Sequence, residues 1–96
     1  MNIHIVNLEY LVSEQDVAKI RPSHRDFLDT GYSKGIFIAS GPKSTKDGGI
    51  ILAIGNLDEI KTFVKDDPFY IQNIAKYRFS SFEAVKHIDE LGFISE

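Results

Sequence analysis

The sequence predicts an α+β fold of the ferredoxin-like type, in which an antiparallel βαββαβ sheet carries two helices on one face. Four short segments are rich in β-branched and aromatic residues, which is typical of strands. Two segments have the helical spacing of apolar residues; one lies between the first and second predicted strands and the other between the third and fourth. A turn signal, Asp47-Gly48-Gly49, separates the second and third. Two crossover helices around a central hairpin give this topology.

The strands are predicted over residues 3–8, 36–40, 50–54 and 77–82. The second is expected to end at Gly41-Pro42, because proline has no N–H for a central ladder. The third, Ile50-Ile51-Leu52-Ala53-Ile54, is apolar on both faces, which indicates that both faces are covered.

The helices are predicted from capping signals. Ser13 followed by Asp16 favours a short helix to residue 20, and Pro22 suits the first position of a separate helix over residues 22–33. Asn56 with Glu59 predicts a helix over residues 57–66 that Pro68 terminates. The tail after residue 83 has weak signals, with a short helix expected at residues 88–91 and ended by Gly92.

Length and composition limit the function. Ninety-six residues, 43% apolar and 26% charged, fit a single domain over residues 1–96. The net charge of −3 and the lack of a basic run argue against nucleic acid as a partner. There is no cysteine, no basic leader before an apolar stretch and no long apolar run, so we expect a cytoplasmic protein without a membrane partner.

The predicted sheet has an apolar second face. Alternation places one set of residues on one face and another on the opposite face: Ile36, Ile38, Ile50, Leu52 and Ile54 against Phe37, Ala39, Ile51 and Ala53. Burying four large aliphatic side chains is worth on the order of 8 kcal/mol, and monomers rarely expose such a patch. We therefore expect a homodimer formed through the sheets.

Two complementary ionisable groups point toward the predicted core. His24 shares a helical stripe with Phe27 and Leu28, and Asp67 continues the stripe of Ile60, Phe63 and Val64. A carboxylate that accepts from one imidazole nitrogen fixes the tautomer and leaves the other nitrogen to move a proton. The simpler interpretation is a core histidine beside an aspartate that only caps the turn at Pro68.

A set of short motifs resembles a known family. In order they are Arg21-Pro22-x-His24-x-x-Phe27-Leu28, Ser40-Gly41-Pro42, Gly48-Gly49 and Asp67-Pro68-Phe69. Over about residues 3–83 they are similar to the YCII-related (YciI-like) family. The resemblance implies a ferredoxin-like dimer of the dimeric α/β-barrel group, with a histidine and an aspartate proposed as a catalytic dyad, here His24 and Asp67.

Members of that family with an assigned reaction include a dehydrochlorinase of a chlorinated hydroxyquinol, and the wider superfamily includes muconolactone isomerase. The sequence departs from the family in one place, because Gln72-Asn73 stands where a small residue and glycine are common after the Asp-Pro-Phe motif. Asparagine tolerates positive φ, so the turn is expected to persist.

Further candidates are weighed from their residue types. Arg21 offers a planar fork for an anionic substrate, or is a solvated residue at a helix start. Ser40, Gly41 and Pro42 form either an oxyanion-binding turn or a plain one. Tyr10 and Phe69 are candidate walls of the pocket. His4 and His87 have no partner at metal-ligand spacing, so neither a metal nor a cofactor is expected.

Two functions from different classes follow. The first is a small cofactor-free enzyme in which His24, oriented by Asp67, moves a proton in an elimination, a dehydrochlorination or an isomerisation of a small organic substrate. The second is a non-catalytic dimeric module that binds a small ligand or serves a structural role.

Overall fold

The computed structural model describes residues 1–94, which fold around one four-stranded sheet. The elements in chain order are β1 (Asn2–Tyr10), α1 (Glu14–Ser33), β2 (Phe37–Pro42), β3 (Gly48–Ile54), α2 (Leu57–Phe63), a 3₁₀ turn (Val64–Asp66), α3 (Pro68–Ile71), β4 (Ala75–Glu83) and a 3₁₀ helix (Asp89–Ile94). None of the helices in this part of the chain is long and apolar enough to cross a membrane.

The sheet has the strand order β2-β3-β1-β4, and every neighbouring pair is antiparallel. The first strand lies in the centre because all nine of its residues pair with β4 on one side and seven of them pair with β3 on the other. The order of the elements and the order of the strands confirm the predicted ferredoxin-like fold.

The first helix differs from its prediction. A single helix, α1, runs from Glu14 to Ser33, and Pro22 lies inside it instead of opening a second helix. The Ser13 side chain caps it through the N–H of Asp16, as predicted. An internal proline costs about 3 kcal/mol, but Pro22 is on the exposed face, and buried residues on both sides of it, Val17 and Phe27, hold the helix against the sheet.

The core lies between the helices and one face of the sheet. It is built of aliphatic and aromatic side chains from every major element: Val6, Leu8, Val17, Phe27, Phe37, Ile51, Ala53, Ile60, Val64, Phe69, Ile74 and Ala75. Gly31 on α1 permits close packing here, since a Cβ at that position would overlap the Phe37 ring. The ring of Phe37 therefore fills the space beneath the last turn of α1.

The other face of the sheet carries Ile5, Ile50, Leu52 and Ile54, all half-buried. The predicted alternation is wrong at Ala39, which pairs with Leu52 on this face, because a register shift between Phe37 and Ala39 inserts an extra residue. It is also wrong at Ile36, which precedes the strand and packs against the core. This outer face remains apolar, as the sequence indicated.

The second strand continues through Gly41 and Pro42, two residues beyond its prediction. The reason is that β2 is at the edge of the sheet, where a missing N–H leaves no central ladder unpaired. Gly48 opens β3 beside β1, and a Cβ there would overlap the carbonyl oxygen of Leu8. The hairpin turn itself is formed by residues 43–47 and includes Lys46 at a φ of 64°.

The last turn before β4 has the form that the sequence predicted. Asn73 adopts a φ of 55°, so the asparagine takes the conformation that a glycine takes more readily. The predicted tail helix at residues 88–91 is observed as the 3₁₀ segment Asp89–Ile94, which continues through Gly92 instead of ending there, and the last two residues of that tail lie outside the described residues.

Candidate functional site

A cleft of about 960 Å³ opens between α1 and the hairpin end of the sheet. This volume is in the range of small-molecule sites. Its walls come from β1, α1, β2, the hairpin loop, β3 and α3, and they consist of Leu8, Tyr10, Glu14, Arg21, His24, Arg25, Leu28, Ser40, Gly41, Pro42, Lys43, Ser44, Lys46, Gly48, Gly49, Ile50, Ile51 and Phe69.

Asp67 lies behind the cleft and is fully buried. It is the N-cap of α3, where Pro68 takes the first helical position and the N–H of Phe69 donates to Oδ1 at 3.0 Å. The local sequence Asp67-Pro68-Phe69 therefore fixes the carboxylate by capping. The carboxylate oxygens can still accept hydrogen bonds from side chains of other elements.

His24 reaches Asp67 from the middle of α1. Nδ1 of the ring lies 2.8 Å from Oδ1 and 3.0 Å from Oδ2, and because a carboxylate only accepts, Nδ1 is the donor. The imidazole stacks on the Phe69 ring with the centroids 3.9 Å apart and the planes 4° from parallel. Within residues 1–94 no hydrogen bond to Nε2 is present, so that nitrogen is left for a ligand in the cleft.

Tyr77 on β4 is a third partner of the carboxylate. Its hydroxyl donates to Asp67 Oδ2 in a short hydrogen bond. Burial raises the pKa of the Tyr77 phenol well above its usual range, and the charge of Asp67 and the hydrogen bond add to the increase. The phenol is thus kept in the protonated form that can donate.

All of the residues proposed from the sequence as substrate-binding line the cleft: Tyr10, Arg21, Ser40, Gly41, Pro42 and Phe69. His24 lines it too, whereas Asp67 does not and acts from behind the histidine. Tyr10 meets Phe69 edge to face at 6.1 Å, so these two rings form one wall.

Two details of the local setting differ from the predictions. Arg21 is not at a helix start but in the second turn of α1. Its guanidinium donates to Glu14 Oε1 at 2.9 Å. That bond, together with the nearby Tyr10 hydroxyl, raises the pKa of Arg21. Ser40, Gly41 and Pro42 lie in extended strand β2 and not in a turn.

The Ser40 hydroxyl is 2.7 Å from the Tyr32 hydroxyl. It makes no hydrogen bond with His24 in the described part of the chain. The geometry therefore does not support Ser40 as a nucleophile activated by His24.

Sequence reasoning missed Tyr77 and the basic residues Arg25, Lys43 and Lys46 of the cleft. A signal existed for Arg25, because Glu14, Arg21 and Arg25 share a helical stripe once α1 is treated as one helix. Tyr77 carried no local signal, since its contact with Asp67 depends on the position of β4.

The remaining histidines serve elsewhere. His4 is buried at the other end of β1, where Nε2 donates to the Gly55 carbonyl at 2.7 Å and Nδ1 lies 2.7 Å from the Ser81 hydroxyl. Among the described side chains, no three histidine, aspartate or glutamate residues converge in a way that would hold a metal ion.

The protonated state of Tyr77 gives a testable pH dependence. An unfolded tyrosine ionises near pH 10, whereas folded Tyr77 retains its proton, so the free energy of unfolding must fall as the pH rises above about 10, by up to about 1.4 kcal/mol per pH unit. In an alkaline absorbance titration we expect folded wild type and folded Tyr77→Phe to show equal tyrosinate signals. After unfolding in denaturant, wild type should exceed the variant by one tyrosine. An excess already present in the folded protein would contradict the buried hydrogen bond.

Solved structures with similar folds support the architecture. A 5-chloro-2-hydroxyhydroquinone dehydrochlorinase from Burkholderia phenoliruptrix AC1100, in complex with 2,5-dihydroxybenzoquinone, superposes with a TM-score of 0.67 at 20% identity over 86% of this chain and 94% of that one. A putative antibiotic biosynthesis monooxygenase from Deinococcus radiodurans gives a TM-score of 0.60 at 17% identity over 93% and 97% of the two chains. At these identities the likeness concerns the fold.

Sequence comparison gives the family. No curated protein matches the chain. The model of the YCII-related domain matches residues 2–83, a span that holds β1 to β4 and both partners of the His24–Asp67 hydrogen bond. The chain therefore belongs to the YCII-related family.

Proposed function

We propose that this protein is a small cofactor-free enzyme in which His24 transfers a proton on a small organic substrate held in the cleft. The observation that carries the proposal is the hydrogen bond from His24 Nδ1 to the buried Asp67 carboxylate. It commits Nδ1 as a donor, so the neutral ring has its free electron pair on Nε2. A general base needs that pair to be available beside a substrate site.

Elimination and isomerisation are the reactions that one base serves best. Nε2 takes a proton from carbon, or from a hydroxyl conjugated with the carbon that bears the leaving group, and the electron pair of the broken bond forms a new double bond. In an elimination a leaving group such as chloride departs with its own pair, and in an isomerisation the proton returns to another carbon. The carboxylate of Asp67, hydrogen-bonded to Nδ1, stabilises the imidazolium that forms.

The similar dehydrochlorinase supports this choice, because it places an elimination on the same fold. The alternative is a binding or structural module, in which the same hydrogen bond only fixes α1 against α3. The two differ in whether His24 is needed for turnover, so a variant of this residue separates them.

His24→Gln is expected to lower turnover roughly 10²-fold or more, since glutamine cannot accept a proton at neutral pH. The assay measures chloride release from 5-chloro-2-hydroxyhydroquinone, extended to other halogenated hydroquinones, and deuterium incorporation from D₂O into unsaturated lactones for isomerisation. His87→Gln is the matched control because His87 is exposed and outside the cleft. Equal rates for His24→Gln and wild type on any substrate that is turned over would reject the role.

We also propose that the protein is a homodimer through the outer face of the sheet. Ile5, Ile50, Leu52 and Ile54 form the patch, and it is apolar enough to favour burial. The helices cover the opposite face, so the outer face is open for a second copy to pack sheet against sheet, with Ile50 at the border between this patch and the cleft.

Leu52→Glu is expected to shift the protein from dimer to monomer, because the carboxylate would be buried in an apolar interface. Light scattering after size-exclusion chromatography measures the mass. Gln15→Glu adds the same charge at an exposed position of α1 and should leave a dimer. A wild-type protein that is monomeric at all concentrations, or a Leu52→Glu variant that stays dimeric, would contradict this interface.

A further inference from the structure

We propose that the cleft takes an organic anion, a molecule with a carboxylate or an ionised enol on a planar apolar body. The inference concerns the same cleft as the proposed function and names the class of substrate for it. It stands on the charges of the walls and not on the chemistry assigned to His24.

The cleft concentrates positive charge in an acidic protein. The chain has 11 lysines and arginines against 14 acidic residues, and its net charge is −3. Of the cleft-lining residues, however, Arg21, Arg25, Lys43 and Lys46 are cationic, and Glu14 is the acidic one. Asp67 does not line the cleft, and its carboxylate is already bound by His24, Tyr77 and the Phe69 N–H.

Three of these cations are available to a ligand. Arg21 is engaged by Glu14 at 2.9 Å. Arg25, Lys43 and Lys46 form no ion pair within the described part of the chain. Lys43 attracts Asp47, whose carboxyl pKa is lowered chiefly by the Thr45 hydroxyl and its own backbone N–H, and less by the Lys43 charge. Like charges around one opening repel, so an anion between them is favoured.

The positions of the cations suit a ligand held between two walls. Arg21 and Arg25 are on α1, whereas Lys43 and Lys46 are on the hairpin loop, where the Lys46 N–H donates to the Lys43 carbonyl. Between these walls the lining is apolar and aromatic, from Leu8, Leu28, Ile51 and Phe69. An apolar ring with a charged substituent satisfies both surfaces.

The same charges agree with proton abstraction beside a carbonyl. When Nε2 of His24 takes the proton, the electron pair left on carbon moves onto the carbonyl oxygen as an enolate. The positive charge of the cleft walls favours the negative charge as it develops on that oxygen. The cations thus serve binding of the anion and, where the proposed reaction occurs, its transition state.

The test compares two probes of one shape and different charge, 4-hydroxybenzoate and 4-hydroxybenzamide. Binding is followed by ¹H–¹⁵N NMR of the full-length protein, with the amides of Gly41, Lys43 and Gly49 reporting on the cleft. We expect the benzoate to shift these signals and the benzamide to bind about tenfold more weakly or worse, because charge-assisted hydrogen bonds exceed neutral ones. Raising the salt concentration should weaken the binding of the benzoate and leave the binding of the benzamide unchanged.

A pair of double variants locates the effect. Arg25→Gln with Lys43→Gln is expected to weaken benzoate binding roughly fivefold or more. Lys34→Gln with Lys65→Gln removes the same charge from exposed positions outside the cleft and should leave binding within twofold of wild type. Equal weakening by both variants would show a general charge effect and overturn the site.

Equal affinity for the two probes, no binding of the benzoate at 20 mM, or shifts confined to residues outside the cleft would each overturn the proposal. His24→Gln separates this inference from the proposed function. If that variant binds the benzoate normally while catalysis is unaffected, the anion site stands and the general base falls. If the variant loses turnover, and the protein binds benzoate no more tightly than benzamide, the role of His24 as general base is supported and the anion site is rejected.

Discussion

The buried carboxylate of Asp67 is the constraint on which the site depends. A carboxylate removed from water costs several kcal/mol unless it is hydrogen-bonded. Here the Phe69 N–H, the His24 imidazole and the Tyr77 hydroxyl donate to it. These donors belong to α3, α1 and β4, so satisfying one side chain sets the relative positions of three elements. The histidine that results is fixed in orientation before any ligand arrives.

The two ends of the central strand are used differently. At its start His4 is buried and both ring nitrogens have partners, the Gly55 carbonyl and the Ser81 hydroxyl. At its end Leu8 and Tyr10 line the cleft together with His24. Nδ1 of that histidine is hydrogen-bonded to Asp67, and Nε2 has no hydrogen-bond partner in the described part of the chain. His4, with both ring nitrogens hydrogen-bonded, links the turn after β3 to the edge strand β4. His24 has only Nδ1 hydrogen-bonded within the protein, and its ring lines the cleft where a ligand would bind.

Much of the architecture could be predicted from sequence, because it follows from local patterns. The alternating strands, the capping by Ser13 and Asn56 and the turn at Asn73 depend on residues close together in the chain. The inward stripes of His24 and Asp67 also indicated a shared location, and the structure brings those side chains together. The family motifs pointed to the same pair.

The remainder depended on tertiary contacts. Local rules start a helix at Pro22, but core contacts on both sides of it make α1 continuous. Pro42 remains in a strand because β2 is at an edge, and Ala39 changes face because of a register shift. The Tyr77 bond to Asp67 and the gathering of Arg25, Lys43 and Lys46 arise only when separate elements meet.

Asp67 fixes the His24 ring with its proton on Nδ1. The direct test is a long-range ¹H–¹⁵N NMR correlation of the imidazole rings in the folded protein, at a pH where they are neutral. His24 should be the Nδ1–H tautomer, and His4, which donates from Nε2 to the Gly55 carbonyl, should be the Nε2–H tautomer in the same spectrum. A His24 ring with its proton on Nε2 would show that the Asp67 carboxylate does not accept from Nδ1 and does not set the tautomer.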